Sequence, residues 1–298
     1  MKIIESIVVP ADIKRQRLSD YLVGKLKTIT SRKGVKKAIK KGAVRVDGKI
    51  QNTAWWVETG QIIELLRLDK PPVKVFPMIF PVIFEDDYIA VINKPSGIMV
   101  SGNKFQTIEN ALLNNIKVST QIDALRLPLP VHRLDSATNG LLIIAKTSKA
   151  RIELGRAFEE RKIQKKYQAI VIGQTPNQGK INEAIDEKQA LTLYKTLQSI
   201  RSLRNDWLSL VEIDLKTGRT HQIRKHFKHI GHPLMGDQLY GEVGQILKGK
   251  GLFLSAISVA FHHPITNESI QLTIQPPNKF SLLLEREARR WKKFKENK

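Results

Sequence analysis

An aspartate preceded by a histidine and an arginine is the first candidate for chemistry in this chain. It lies in His132-Arg133-Leu134-Asp135, shortly before an apolar run at 141–145. A neighbouring positive charge keeps a carboxylate ionised at neutral pH. An ionised carboxylate in a fixed position acts as a nucleophile or as a general base. A lone aspartate more often caps a turn, so the prediction for Asp135 depends on further residues.

A second cluster combines arginines with histidines. Between Asp214 and Asp237 the sequence has five Lys or Arg, four His and no acidic residue. The histidines suggest a metal site, but no cysteine or carboxylate joins them, and the positive charge around them opposes a cation. A helix that begins after Gly218 would present backbone N–H groups and arginines to a phosphate instead. One of these arginines is also suited to pair with Asp135, and the sequence alone does not single it out.

A tyrosine among lysines, in Lys165-Lys166-Tyr167, is the third candidate. An aromatic ring in such surroundings can stack on a nucleobase. A tyrosine of a half-buried strand is the more frequent case, so this signal is weak by itself.

The charge of the whole chain favours a polyanionic partner. Its 298 residues include 50 Lys and Arg against 28 Asp and Glu, a net charge of +22. Nucleic acid binds such a surface by releasing counterions, whereas a membrane surface usually requires a basic amphipathic helix or a lipid site. The absence of cysteine excludes disulfides and thiolate chemistry. No apolar run reaches the length of a membrane span and no signal peptide is recognisable, so we expect a soluble, cytoplasmic protein.

The elements that position these residues fall into two predicted domains. Four prolines within residues 71–81 predict an extended linker, 69–81, between an N-terminal domain, 1–68, and a larger domain, 82–284. The remaining residues, 285–298, form a basic tail. In the larger domain, apolar patterns predict an α+β organisation around a sheet, with strands at 88–93, 141–145 and 167–172 and a helix at 152–161.

The N-terminal domain has a helix with one basic side. Helices are predicted over 17–27 and from Ser31 to Gly42, followed by a strand at 44–46 and a turn at Asp47-Gly48. We call one set of residues on the second helix the lysine face: Lys33, Lys36, Lys37, Lys40 and Lys41. Because like charges at this spacing repel each other, we interpret the face as a phosphate-binding surface rather than as an ordinary solvated one.

Two family resemblances follow from these motifs. Residues 15–66 resemble the small S-four-type RNA-binding domain first seen in a ribosomal small-subunit protein. Residues 80–280 resemble the RluA family of RNA pseudouridine synthases, through NKPSG (93–97), HRLDSATNGLLIIAKT (132–147), KKY (165–167) and TGRTHQIRKHFKHIGHPLMGDQLYG (217–241). The resemblance implies the pseudouridine synthase fold, a mixed, largely antiparallel central sheet flanked by helices, with a small N-terminal α/β RNA-binding domain.

The RluA resemblance also implies roles for single residues. Asp135 would start breakage of the uridine glycosidic bond, by attacking the ribose, by attacking the base or by removing a ribose proton. Arg133 would hold the target nucleotide out of the RNA stack, and Tyr167 would pack beside the base and serve in the later proton transfer. Arg224 would form an ion pair with Asp135, and Lys94 with the turn that follows it would buttress the site.

The RNA contacts expected from the two resemblances extend over both domains. They are Arg32, Lys33, Lys36, Lys37, Lys40, Lys41, Arg45, Lys94, Arg219 and His221. No metal or cofactor is expected, because pseudouridine formation only re-attaches the same uracil through carbon.

The expected function is therefore that of an isomerase acting on uridines in structured RNA. Large-subunit ribosomal RNA is the favoured substrate and transfer RNA the second choice, with the target uridine flipped out of its stack. We expect neither a membrane nor an obligate protein partner. The alternative hypothesis is a non-catalytic RNA chaperone or ribosome-assembly factor that has this fold and binds RNA through the lysine face.

Overall fold

The computed structural model describes residues 2–29, 31–67, 74–242 and 249–296. The chain forms two compact units, Met1–Val73 and Lys74–Lys298. Residues 69–73 of the expected linker lie outside the described residues, whereas residues 74–81 have neither helix nor strand. Phe80 is nevertheless buried in the core of the second unit, and its N–H donates to the Asn115 side chain over 2.9 Å. Residues 74–81 therefore belong to the second unit, which corrects their assignment to a linker.

In its described residues the first unit has a four-stranded antiparallel sheet and two helices. Its elements are β1 (Lys2–Val8), α1 (Leu18–Tyr21), α2 (Arg32–Lys40), β2 (Val44–Val46), β3 (Lys49–Ile50) and β4 (Ile62–Arg67), and the strand order is β1-β4-β2-β3. The helix predicted over 17–27 is shorter in the structure, where α1 ends after one turn. The second helix agrees with its predicted bounds, since the Ser31 hydroxyl caps it by accepting from the Gly34 N–H and Gly42 follows it at φ +71°.

The hairpin between β2 and β3 turns at Asp47 and Gly48, as predicted. Both residues have positive φ angles, 47° and 76°. This is the combination that a two-residue type I′ turn requires, and it matches the twist of the strands it joins.

In its described residues the second unit contains one large sheet, four α-helices and a short 3₁₀ helix, Leu112–Asn114. Its strands are β5 (Val82–Glu85), β6 (Ile89–Lys94), β7 (Ala124–Pro130), β8 (Asn139–Thr147), β9 (Gln164–Ile172), β10 (Gln178–Ile181), β11 (Thr192–Ser202), β12 (Asp206–Leu215), β13 (Leu254–His262) and β14 (Ser269–Thr273). Its helices are α3 (Ile108–Ala111), α4 (Ser148–Glu159), α5 (Gln222–His229) and α6 (Lys279–Glu296). The main strand order is β10-β11-β12-β9-β13-β8-β6-β5, with β14 beside β13 and β7 beside β8. The predicted mixed, largely antiparallel sheet flanked by helices is confirmed.

The parallel pairing of β8 with β13 joins the two halves of this sheet. Gly140 lies at the junction with φ +122°, and a Cβ built there would lie 2.2 Å from the Ala256 carbonyl oxygen. Only glycine permits this close approach. Next to it, the buried Asn139 amide donates to the Ser255 hydroxyl over 3.0 Å and ties the two strands together.

Both faces of the sheet are covered. All nine residues of β8 are buried, with Leu142 and Ile144 in the same core as α5, and Leu141 and Ile143 in the same core as α4. On β9 the side chain of Tyr167 belongs to the α5 core. Because side chains alternate along a strand, every second side chain of β8 and β9 faces α5. The first residues of α5 lie near Asp135.

The last helix crosses a predicted boundary. Residues 279–296 form the continuous helix α6, in which Phe280, Leu283, Leu284 and Glu287 are buried. The Ser202 hydroxyl donates to the buried Glu287 carboxylate over 2.8 Å. Residues 285–296 therefore continue a packed helix, which corrects their assignment to a separate tail, and residues 297–298 lie outside the described residues. Among the described residues, no helix has the length and apolar character required to cross a bilayer.

Candidate active site

A cleft of about 690 Å³ opens where β8, β9 and α5 meet. The loop before β8 contributes Arg133 and Asp135, β9 contributes Tyr167, and the start of α5 contributes His221 and Arg224. The structure thus brings together the three motifs that lie far apart in the sequence. The cleft lining has six Lys or Arg against three acidic residues, so its charge favours an anionic ligand.

Asp135 lies between two basic side chains. Its carboxylate is 19% exposed, with one oxygen 3.7 Å from His221 Nε2 and the other 4.0 Å from Arg224 Nη1. Both distances exceed a direct hydrogen bond. The carboxylate is therefore held in a positive field while its oxygens remain accessible from the cleft.

Arg224 has a closer partner than the sequence indicated. Its Nε and Nη2 donate to the two carboxylate oxygens of Asp237 over 2.7 and 2.6 Å, and both side chains are buried. Burial by itself would raise the pKa of Asp237, but hydrogen bonds from Arg224 and from the N–H groups of Tyr240 and Leu239 outweigh it and lower that pKa. The expected pair between Arg224 and Asp135 is thus a secondary contact at 4.0 Å, because a two-pronged guanidinium fits the buried carboxylate better.

His221 is held in an unusual conformation beside Asp135. It precedes α5 with φ 56° and ψ 25°, the left-handed region that few non-glycine residues adopt. Its Nδ1 lies 2.9 Å from the Tyr240 hydroxyl, and the Tyr240 ring in turn lies 4.9 Å from the Arg224 guanidinium. The structure therefore places His221 in the immediate surroundings of Asp135, and its expected RNA contact stays a prediction.

The loop before α5 is tied down by Gln222. Its side-chain carbonyl accepts from the Arg219 N–H over 3.0 Å and from the Thr217 hydroxyl over 2.8 Å. The helix begins at Gln222 rather than directly after Gly218, because this side chain folds back over the loop. Arg219, expected to bind RNA, is half-buried in the cleft lining, and its Nε donates to the Gln189 carbonyl over 3.1 Å.

Tyr167 forms an apolar wall of the cleft. Its side chain is 6% exposed. Burial raises the pKa of the phenol, and the negative charge of Asp135 raises it further. The phenol thus remains protonated at neutral pH, with its hydroxyl able to donate or accept a hydrogen bond.

Lys94 was predicted to contact RNA, and the structure contradicts this prediction. It is fully buried, and its ammonium donates to the carbonyl groups of Pro95, Ser136 and Thr138 over 2.8, 3.2 and 2.8 Å. Burial lowers its pKa to about 8, although the charge of Asp135 acts in the opposite direction. Its position within the fold leaves no surface for a phosphate, and its contacts instead hold the loop that contains Asp135.

His132 is a positioning residue that sequence reasoning did not single out. Its Nε2 accepts the Ile143 backbone N–H over 3.0 Å, and its ring lies 4.8 Å from that of Phe158. Burial and the nearby charge of Lys165 lower its pKa to about 3. The imidazole is therefore neutral and fixes the loop before Asp135 onto β8. Asp237 and Tyr240 were also missed, although both lie within the GHPLMGDQLYG string.

Arg133 and Lys165 complete the polar lining of the cleft. Arg133 is exposed and forms no ion pair with any residue in the described part of the chain. Lys165 Nζ lies 5.4 Å from the centre of the Phe158 ring, and burial lowers the pKa of this lysine. The two side chains differ accordingly, since the arginine faces solvent and the lysine lies along an aromatic wall.

The lysine face is exposed in the first unit, on the side of α2 opposite the buried Val35, Ala38 and Ile39. None of its five lysines forms an ion pair with a described residue. Arg32 is exposed as well and donates to Asp20 over 2.7 Å. Arg45 was expected to bind RNA, but its guanidinium pairs with Glu64 on the neighbouring strand. We therefore leave Arg45 out of the RNA surface.

The described residues contain no group of three or more His, Asp or Glu side chains arranged to hold a metal ion. The histidines between Asp214 and Asp237 instead have other partners, and His229 Nε2 lies 3.8 Å from the Glu183 carboxylate. His221 faces Asp135, His226 Nε2 lies 3.0 Å from the Glu183 carbonyl oxygen, and His232 Nδ1 lies 3.0 Å from the Ile172 carbonyl oxygen.

Comparison with known proteins gives one consistent family. Residues 88–229 match the RNA pseudouridylate synthase family. An uncharacterized RNA pseudouridine synthase of Aquifex aeolicus is 33% identical over 94% of this chain and 96% of its own length. Ribosomal large subunit pseudouridine synthase D of Haemophilus ducreyi is 32% identical over 97% of this chain and 96% of its own. A solved structure titled human RNA Pseudouridylate Synthase Domain Containing 1 is similar to this chain with a TM-score of 0.56 and 24% identity. The similarity covers 70% of this chain and 87% of that one, and it shows a shared fold.

Proposed function

This chain belongs to the RNA pseudouridine synthase family, and on that premise we propose that it isomerises one or more uridines of large-subunit ribosomal RNA at Asp135. As a pseudouridine synthase it breaks the bond between N1 of uracil and C1′ of ribose and forms a bond between C5 and C1′. The C5 proton is lost and N1 gains one, so nothing is oxidised. The observation that carries the proposal for the site is the convergence of Asp135, Tyr167 and Arg224 in one basic cleft.

Asp135 performs the first step in this proposal. Its accessible carboxylate has Arg224 Nη1 and His221 Nε2 within 4.0 Å. Arg224 is itself held by Asp237, so the guanidinium does not swing away when substrate enters. The Tyr240 hydroxyl lies 2.9 Å from His221 Nδ1, and the other ring nitrogen, Nε2, lies on the side of Asp135.

Tyr167 and Arg133 act on the flipped nucleotide. Extruding a base costs about a few kcal/mol, which the basic lining offsets by binding the phosphates. The part of Tyr167 that lines the cleft offers an aromatic surface to the base, and its protonated hydroxyl serves in the later proton transfer. Arg133, exposed at the cleft, fills the space that the uridine leaves in its stack.

Ribosomal RNA is proposed as the substrate because the Haemophilus ducreyi relative is named for the large ribosomal subunit and is similar over nearly its whole length. The S-four-type resemblance of the first unit supports the same choice. The test is a map of pseudouridine across total RNA from cells with and without this gene. We expect one or a few large-subunit sites to disappear in the deletion strain and to return when the gene is restored.

Two other outcomes of that map are informative. Loss of transfer RNA sites alone would replace the proposed substrate by transfer RNA. An unchanged map, together with purified protein that leaves both RNAs unmodified, would contradict the enzyme proposal and favour the RNA-binding factor.

The lysine face is proposed to bind RNA phosphates. Replacing Lys36 and Lys37 by glutamine removes two exposed charges without touching the apolar side of α2. We expect weaker RNA binding and a salt dependence, log K against log salt, that is shallower by about one for each lost phosphate contact. Fluorescence anisotropy with a ribosomal RNA fragment measures both quantities.

The matched control for this prediction replaces two other exposed lysines of the same unit, Lys14 and Lys27, by glutamine. It changes the net charge equally. Equal slopes for the two double variants would show that total charge, rather than the lysine face, controls binding.

A further inference from the structure

A groove of about 510 Å³ runs along the whole of α4 on its solvent side. Its floor is one stripe of the helix, with residues at spacings of three and four: Ser148, Arg151, Ile152, Gly155, Arg156 and Glu159. Leu125 of β7 forms part of its wall. None of these residues except Glu159 lines the catalytic cleft, so the groove is a separate surface.

The groove meets the catalytic cleft at the C-terminal end of α4. Glu159 lines both, and the preceding Phe158 and the nearby Arg161 line the cleft. A twelve-residue helix is about 18 Å long. A strand that leaves the cleft therefore has a continuous path along α4 away from Asp135.

The chemistry of the groove fits single-stranded RNA. Arg151 is exposed and forms no ion pair with a described residue, so its charge is available to a phosphate. Ile152 is 61% exposed, an apolar side chain suited to the face of a base. Arg156 is partly balanced by Glu153 at 3.1 Å. The Glu159 carboxylate repels phosphate and can accept a hydrogen bond from a ribose 2′-hydroxyl.

Gly155 is an independent observation for a ligand in this groove. Glycine within a helix is less favourable than nearly every other residue. Apart from its chain neighbours and the backbone of its own helix, a Cβ built at Gly155 would meet no described atom within 4 Å, so packing against other elements gives no reason for a glycine. The missing side chain leaves bare helix backbone in the middle of the stripe, where a strand can approach closely.

We propose that the α4 groove binds the nucleotides that flank the target uridine in the RNA substrate. This inference rests on the proposed function, because it assumes that the cleft around Asp135 holds the target. It adds a contact region distinct from the lysine face and from the residues that contact the reacting uridine.

The test compares Gly155→Glu with Gly155→Gln. The two side chains have nearly the same size and both have room in the groove, so they differ in one negative charge. We expect Gly155→Glu to raise KM for the ribosomal RNA fragment about fivefold over Gly155→Gln, the factor that one unit-charge interaction at about 4 Å in water gives. Because the groove does not contact the reacting atoms, kcat should be the same in both variants.

Arg151→Glu and Arg151→Gln form a second matched pair with the same expected difference in KM. Equal KM values within both pairs would overturn the groove proposal while leaving the wild-type activity intact. If the wild-type protein itself forms no pseudouridine, the proposed function fails, and the dissociation constants of the same variants for the RNA fragment still test the groove. Thermal unfolding of each variant verifies that the fold is retained.

Discussion

Asp135→Asn is expected to abolish pseudouridine formation while leaving RNA binding within about twofold of wild type. The asparagine keeps the size of the side chain but removes the charge that acts on the uridine. Removing a group that acts directly on the reacting atoms lowers kcat by roughly 10⁴-fold or more. The measurement is single-turnover formation of pseudouridine in a ribosomal RNA fragment, with binding followed separately by fluorescence anisotropy.

The control for this variant is Asp214→Asn. Asp214 lines the same cleft but pairs with Lys216, and its replacement makes the same change in charge. We expect its kcat to remain within a few-fold of wild type. Comparable losses in the two variants would mean that the net charge of the cleft, rather than the position of Asp135, governs the reaction, and the proposed role of Asp135 would be rejected.

The motifs predicted the members of the site better than the contacts between them. Asp135, Tyr167 and Arg224 each lie in a local pattern that is readable along the sequence, and all three line one cleft. The preference of Arg224 for Asp237 was not predictable, because it depends on how the loop after α5 returns to the helix. The spacing of residues along the sequence does not show that the loop after α5 brings Asp237 back to Arg224.

Burial explains the other errors. Lys94 follows an apolar strand and precedes a Pro-Ser-Gly turn, a context typical of an exposed lysine, yet the folded loop supplies three carbonyl acceptors inside the protein. Arg45 alternates with two valines as an outward strand residue should, but its cross-strand neighbour is the acidic Glu64. Two of the three acceptors of Lys94 and the partner of Arg45 are distant in sequence, so charge alone overestimated the RNA surface.

The fold was predictable where local signals agree. Ser31 and Gly42 enclose α2, and Asp47-Gly48 makes a hairpin, because caps and turns depend on neighbouring residues only. Residues 285–298 were predicted as a basic tail, whereas α6 continues past residue 284 to Glu296. Its helical side chains are mostly charged there, and only packing in the folded unit shows that Glu287 is buried.

The buried pair of Arg224 and Asp237 is expected to be the most sensitive electrostatic contact of the site. In Asp237→Asn the guanidinium loses its charged partner while both positions stay buried. Breaking a buried ion pair on one side costs about 3–5 kcal/mol in the free energy of unfolding. We expect a loss of this order in urea or thermal unfolding, and a large decrease in kcat because Arg224 no longer holds its place beside Asp135.

The double variant Asp237→Asn with Arg224→Met separates stability from catalysis. Removing the guanidinium relieves the unpaired buried charge, so the double variant should recover a substantial part of the lost unfolding free energy. It should remain as inactive as the single variant, since no cation then faces the second oxygen of Asp135. A double variant no more stable than Asp237→Asn would contradict the charge-pair account of stability, and recovered activity would contradict the role of Arg224. Unfolding free energy and kcat therefore answer two separate questions about one contact.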